Sequence, residues 1–188
     1  MNRSYLAIVI GVSAGGLSAL TFLFEQLPAN YPIPMIVIQH RSSDQNGLLE
    51  EVLRYKCKIR IKQADEKEPI KTGVIYVAPP GYHLLVERDN TFSLSSDEPV
   101  FFSKPSIDVL FETAAEVFKE KIVGLILTGA NRDGTNGIKA IYEKGGLTIA
   151  QHPEEAQFPY MPRAAIESGG VKHIWTLKEI RKFLLELA

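Results

Sequence analysis

Apolar residues in this chain fall into short continuous runs separated by stretches of helical periodicity. Residues 5–10 form the first run, 34–39 the second, with Met35-Ile36-Val37-Ile38 at its centre, and 122–127 the third. Runs that are continuous rather than alternating predict strands buried on both faces of a parallel sheet. Between 14 and 26, Leu17, Leu20 and Phe24 recur at helical spacing, Leu27 follows, and Pro28 is a stop. Residues 48–55 predict a helix with Leu49, Val52 and Leu53 on its apolar face, its start marked by Ser42, Ser43, Asp44 and Gln45. The middle changes character. Residues 74–78 and 83–86 predict two strands joined by a turn at Pro79-Pro80-Gly81, and 91–94 a further strand, so 74–94 is expected to be an antiparallel insert. Pro105 and Ser106 then open a helix with Val109, Leu110, Ala114, Val117 and Phe118 as its apolar face; a proline there loses nothing, because that N–H has no helical partner. A helix over 137–142 stops at Gly145-Gly146. A strand (147–150), a short helix (163–168), a short strand (173–175) and an amphipathic helix (177–187) complete the pattern.

Strands alternating with helices define an α/β fold: a doubly wound three-layer sandwich with a mostly parallel sheet and an antiparallel hairpin insert. The length of 188 residues predicts a single domain over 1–188, large enough to bury a core unaided. With 21 basic and 22 acidic residues the charge is balanced, so attraction to nucleic acid or to an anionic membrane is not expected. Cys57, the one cysteine, forms no internal disulfide, which fits a reducing, cytoplasmic setting. No run approaches the length of a membrane span, and the first residues do not read as a signal peptide. The oligomeric state is left open.

In parallel sheets of this kind ligands bind beyond the carboxyl ends of the strands. Three strand ends carry chemistry. The first run leads into Gly11-Val12-Ser13-Ala14-Gly15, a G-x-S-x-G strand–turn–helix pattern. The second ends at His40, and the third leads through Gly129 to Asp133. A serine needs an adjacent base to act as a nucleophile at neutral pH, and a histidine base needs a carboxylate to orient it. Free N–H groups at the start of the helix after Ser13 would suit a developing oxyanion. Plainer roles stand beside these: Ser13 as a helix N-cap, His40 as a loop histidine, Asp133 as a cap or turn residue beside Gly134. A phosphate-binding loop of the dinucleotide type is a rival, although Ser13 occupies the second glycine position of that fingerprint and the second strand ends Gln39-His40-Arg41, with no acidic residue there to meet a ribose; Arg41 could suit a phosphorylated one.

With these residues in view, the chain resembles the catalytic domain of the chemotaxis protein-glutamate methylesterases, the CheB family. The resemblance rests on six segments in order: 10–16, 37–40, 75–83, 104–111, 127–134, and 145–151 with 161–166. It implies a serine-hydrolase triad of Ser13, His40 and Asp133, with Ala14, Gly15, Gly129, Ala130, Asn131, His83 and Met161 in the substrate and oxyanion region. It implies no metal or organic cofactor. The implied reaction is hydrolysis of glutamate γ-methyl esters on chemoreceptor-type signalling proteins, with deamidation of certain glutamines. The chain departs from the family pattern at Ala14, Arg41-Ser42, Ala130 and Asn131, where Met and Gly commonly fill the last two positions. Most members also carry an N-terminal receiver domain, whereas this chain begins at the first esterase strand. A binding module that has lost its substrate is the expectation from another functional class.

Overall fold

A computed structural model describes residues 5–40 and 48–188. Seven parallel strands form one sheet: β1 (Ala7–Val12), β2 (Met35–Gln39), β3 (Arg60–Gln63), β4 (Val74–Val77), β7 (Ile122–Ile126), β8 (Leu147–Gln151) and β9 (His173–Trp175). Their order is β3-β4-β2-β1-β7-β8-β9. β5 (His83–Val86) and β6 (Phe92–Ser95) pair antiparallel as a separate hairpin. The helices are α1 (Gly16–Phe24), α2 (Leu48–Lys56), α3 (Ile107–Phe118), α4 (Thr135–Glu143), α5 (Tyr160–Glu167) and α6 (Leu177–Glu186).

The sheet is covered on both faces, which is why β1, β4 and β7 read as unbroken apolar runs. On one face Ile8, Ile10, Met35, Val37 and Leu125 pack against Leu20, Leu23 and Phe24 of α1, Leu53 of α2, and Ile180 and Leu184 of α6. On the other, Val9, Ile36 and Ile126 pack against Leu110 and Phe111 of α3, Ile138 and Ile141 of α4, and Met161 and Ala165 of α5. The result is the expected three-layer α/β arrangement.

Two details of the sequence reading change. Residues 74–78 do not belong to the hairpin: β4 joins the main sheet parallel to both β2 and β3. The antiparallel insert is therefore shorter, built from β5 and β6 alone. β3, absent from the sequence reading, is a four-residue edge strand in which only Ile61 is buried. Arg41 and Ser42, Ser43, Asp44 and Gln45, named above as a departure and a helix-start signal, lie outside the described residues.

Register brings the functional segments together. β1 pairs with β2 so that Val12 lies opposite Gln39, and the His40 N–H donates to Val12 O at 3.1 Å. β1 also pairs with β7, and the Ser13 N–H donates to Thr128 O at 3.0 Å. Chain direction across the sheet reverses between β1 and β7, so Ser13 and the loop after β7 meet at the topological switch point.

Candidate active site

Ser13 follows β1 directly. The N-cap of α1 is Gly15, at φ 78°, and no side chain caps the helix, so the Ser13 hydroxyl is not spent as a cap. The left-handed backbone at Gly15 makes the turn possible; a Cβ there would lie 2.7 Å from Gln157 Oε1. Thr128 Oγ1 donates to Ala14 O at 2.9 Å, and Gln39 Nε2 donates both to Ser13 O (2.9 Å) and to His40 O (3.0 Å). These bonds tie the ends of β1, β2 and β7 into one rim. Among the described residues, the backbone N–H groups of Ala14 and Gly15 and the Ser13 hydroxyl have no hydrogen-bond partner.

His40 and Asp133 are joined by a hydrogen bond of 2.7 Å between Nε2 and Oδ2. Asp133 is fully buried, while the His40 side chain keeps 11% of its surface open to solvent. Asp133 does not cap α4, whose N-cap is Gly134. It sits instead against the start of α3, accepting from Ser106 Oγ (2.8 Å), the Ile107 N–H (2.6 Å) and the Asp108 N–H (3.0 Å). A helix N-terminus offers unpaired N–H groups and a partial positive charge, which suit a carboxylate. Burial pushes the Asp133 carboxyl up, but the hydrogen bond from His40 and the Asp108 and Ile107 amides outweigh it, and the group is held below its ordinary range. It is an anion at neutral pH.

The ring orientation follows from the neighbours. The Asp133 N–H donates to Asn131 Oδ1 (3.2 Å), so the Asn131 amide nitrogen is the atom turned toward His40 Nδ1 (3.1 Å) and Ser103 Oγ (3.1 Å). Facing an amide N–H, Nδ1 carries the lone pair; Nε2 carries the proton and donates to Asp133.

Ser13, Ala14, Gly15, Gln39 and His40 line a cavity of about 360 Å³ whose apolar side is Leu17, Leu49 and Val52. Ala130 lines a neighbouring hollow with Phe158, Pro159, Tyr160 and Arg163. The remaining expected residues stand behind the rim. The Gly129 N–H is committed to Phe158 O at 2.9 Å, which takes it out of any oxyanion role. Met161 is buried against Gly129, whose missing side chain makes room for it. His83 is buried; its Nδ1 accepts from the Ser106 N–H (3.1 Å) and its Nε2 donates to Glu98 O (3.0 Å). It braces the start of α3 rather than facing the cavity. Ser106 and Gln39, which the sequence reading did not single out for the site, hold it together. Ser106 was visible only as a helix opener, and nothing in the local pattern pairs it with a carboxylate 27 residues away. Among the described residues, no group of three or more His, Cys, Asp or Glu side chains is placed to hold a metal ion.

The class defined by fold and site is a doubly wound α/β domain with a buried His–Asp pair and an open serine turn at the switch point. The profile of the CheB methylesterase family matches residues 8–184. A protein of Leptospira interrogans described as a putative protein-glutamate methylesterase/protein-glutamine glutaminase is 50% identical over 98% of this chain and 95% of its own length. A protein-glutamate methylesterase/protein-glutamine glutaminase of Archaeoglobus fulgidus is 39% identical over 93% of this chain, which spans about half (51%) of that longer relative. The crystal structure of the Thermotoga maritima CheB methylesterase catalytic domain superposes with a TM-score of 0.94, at 32% identity, covering 98% of this chain and all of that one. The chain belongs to the CheB methylesterase family.

Proposed function

We propose that the protein hydrolyses γ-methyl esters of glutamate side chains on methylated chemoreceptors or related signalling proteins, with Ser13 as nucleophile, His40 as general base and Asp133 as the group that orients and stabilises it. Deamidation of glutamine by the same site is included, in keeping with the names of the relatives. The observation that carries this reading is the 2.7 Å His40–Asp133 pair, with a buried carboxylate and a partly open imidazole, whose histidine shares a cavity with a serine free of capping duty.

Ser13 Oγ adds to the ester carbonyl carbon while its proton passes to His40 Nδ1. The imidazolium is stabilised by the Asp133 carboxylate across Nε2. The carbonyl oxygen, now negative, lies against the Ala14 and Gly15 N–H groups, which have no other partner among the described residues. The C–O bond to methanol breaks as the imidazolium returns its proton to the departing oxygen. Water then attacks the acyl-enzyme, giving a proton to His40 Nδ1; the bond between Ser13 Oγ and the acyl carbon breaks, the imidazolium returns that proton to Oγ, and the glutamate carboxylate leaves. For a glutamine substrate the group that leaves is ammonia. Leu17, Leu49 and Val52 supply an apolar wall for the ester methyl and the aliphatic stem.

A fluorophosphonate probe tests the nucleophile. The parent protein is expected to gain one adduct, located on Ser13 by peptide mass spectrometry, while Ser13→Ala folds normally and gains none. An adduct elsewhere, or labelling retained in Ser13→Ala, overturns the assignment.

A further inference from the structure

Both ring nitrogens of His40 are occupied. Nε2 is held by Asp133, as the proposed chemistry needs. Nδ1, the atom that would take the serine proton, already accepts a hydrogen bond from Asn131 Nδ2 at 3.1 Å. An imidazole nitrogen has a single lone pair in the ring plane, so it accepts one well-directed hydrogen bond at a time. Ser13 shares the cavity with His40, yet its hydroxyl makes no hydrogen bond among the described residues. The Asn131 amide is not there by accident of a loose side chain. Its Oδ1 is pinned by the Asp133 N–H and its second amide hydrogen by Ser103 Oγ, so all its hydrogen-bonding groups agree on one orientation.

We infer that Asn131 is a cap on the catalytic base: in the free protein its amide holds the lone pair of His40 Nδ1, and it must give way before Ser13 can lose its proton. The inference rests on the proposed roles of Ser13 and His40. The cap has two consequences. It fixes the tautomer and plane of the imidazole while the site is empty, and it lowers the reactivity of Ser13 toward anything that does not displace the amide. A seated substrate offers the displaced NH2 an acceptor in exchange, its ester or backbone carbonyl. Asn131 is thus a positioning residue that acts through His40.

Among the described residues, the other titratable groups nearby are Asp133 at Nε2, and Asp108 and Glu112 of α3, whose carboxylates feel Asp133. Arg132, on the same loop, turns its guanidinium over the Phe101 ring at 5.3 Å. His83 is tied to Ser106 and Glu98. All of these are common to parent and variant and drop out of the comparison.

The test uses Asn131→Ala and Asn131→Gly, with Ser103→Ala, which removes one anchor of the amide and leaves Asn131 in place. The rate of fluorophosphonate labelling of Ser13 is measured from pH 5 to 9 without substrate. One neutral hydrogen bond corresponds to roughly a three- to tenfold effect. The Asn131 variants are expected to label about three- to tenfold faster at about pH 8. Ser103→Ala is expected to raise the rate by less. If the parent is labelled on Ser13 but the Asn131 variants label at the same rate or slower, the cap is refuted and the nucleophile assignment stands. If neither parent nor variants are labelled, both fall.

Discussion

Asp108 sits beside Asp133 but does different work. Its N–H donates to Asp133, and its own Oδ1 accepts from the Gly137 N–H at 2.7 Å, joining α3 to α4. Among the described residues, its Oδ2 is buried without a hydrogen-bond partner. Burial, and then the nearby Asp133 and Glu112 carboxylates, push the Asp108 carboxyl up to about 6. The folded protein therefore holds a proton that the unfolded chain releases at lower pH. The associated stability is complete below the unfolded value and is lost as pH rises through about 6. Asp108→Asn keeps the acceptor for Gly137 and removes the cost of ionisation, on the order of 2–3 kcal/mol. It is expected to raise Tm by about 5 °C at pH 8, and far less at pH 5. Equal shifts at the two pH values, or a lower Tm at pH 8, contradict this. At this scale the sequence pointed to Ser13, His40 and Asp133 by their positions just past buried strands, with capping roles left open for the first and last. Gly15 and Gly134 turn out to occupy those cap positions. The partners of Asp133 were not readable, because Ser106, Ile107 and Asp108 reach it across 25 to 27 residues and no local spacing encodes that.

The elements explain why the site is rigid. α3 contributes no side chain that faces the cavity, yet its first turn holds Asp133, and His83 of β5 holds Ser106 at its cap. The turn between β1 and α1 depends on Gly15. Gly15→Ala places a Cβ in the left-handed region and against Gln157, and is expected to cost about 1–2 kcal/mol by denaturant unfolding. It should also slow Ser13 labelling, because the turn that presents the hydroxyl is forced to shift. Unchanged stability together with an unchanged labelling rate would mean that the turn is not held as described. The misread elements share a cause. β3 is short, and its edge position leaves it only one buried residue, so it carries no apolar run. β4 is separated from β5 by Pro79-Pro80-Gly81, which looks like a hairpin turn, but its four residues are all buried, the mark of a strand inside a parallel sheet. The central strands and the helices were legible because a sheet covered on both faces and a helix on one each impose a distinct period.

Across the whole molecule, seven parallel strands reverse direction of travel between β1 and β7, and the site occupies that crevice. The same crevice holds dinucleotides in other doubly wound folds. Here Ser13 stands at the second glycine position of the dinucleotide fingerprint, Gln39 Oε1 lies against Gly16, and Gln157 against Gly15. A nucleotide bound at a hundredfold excess over its Kd would stabilise the fold by about 2.7 kcal/mol, a rise in Tm of about 5 °C or more. NAD, NADP and free nucleotides at millimolar concentration are expected to give no such rise; a rise with any of them would restore the dinucleotide reading. The central claim concerns ester hydrolysis at Ser13, and its most direct measurement is release of labelled methanol from methylated chemoreceptors by the parent protein and by Ser13→Ala. The parent is expected to release methanol catalytically, and Ser13→Ala, with an unchanged circular dichroism spectrum, is expected to release none above the uncatalysed rate. Turnover by Ser13→Ala at the parent's rate, or a parent labelled on Ser13 that leaves the methyl esters intact, would contradict the account.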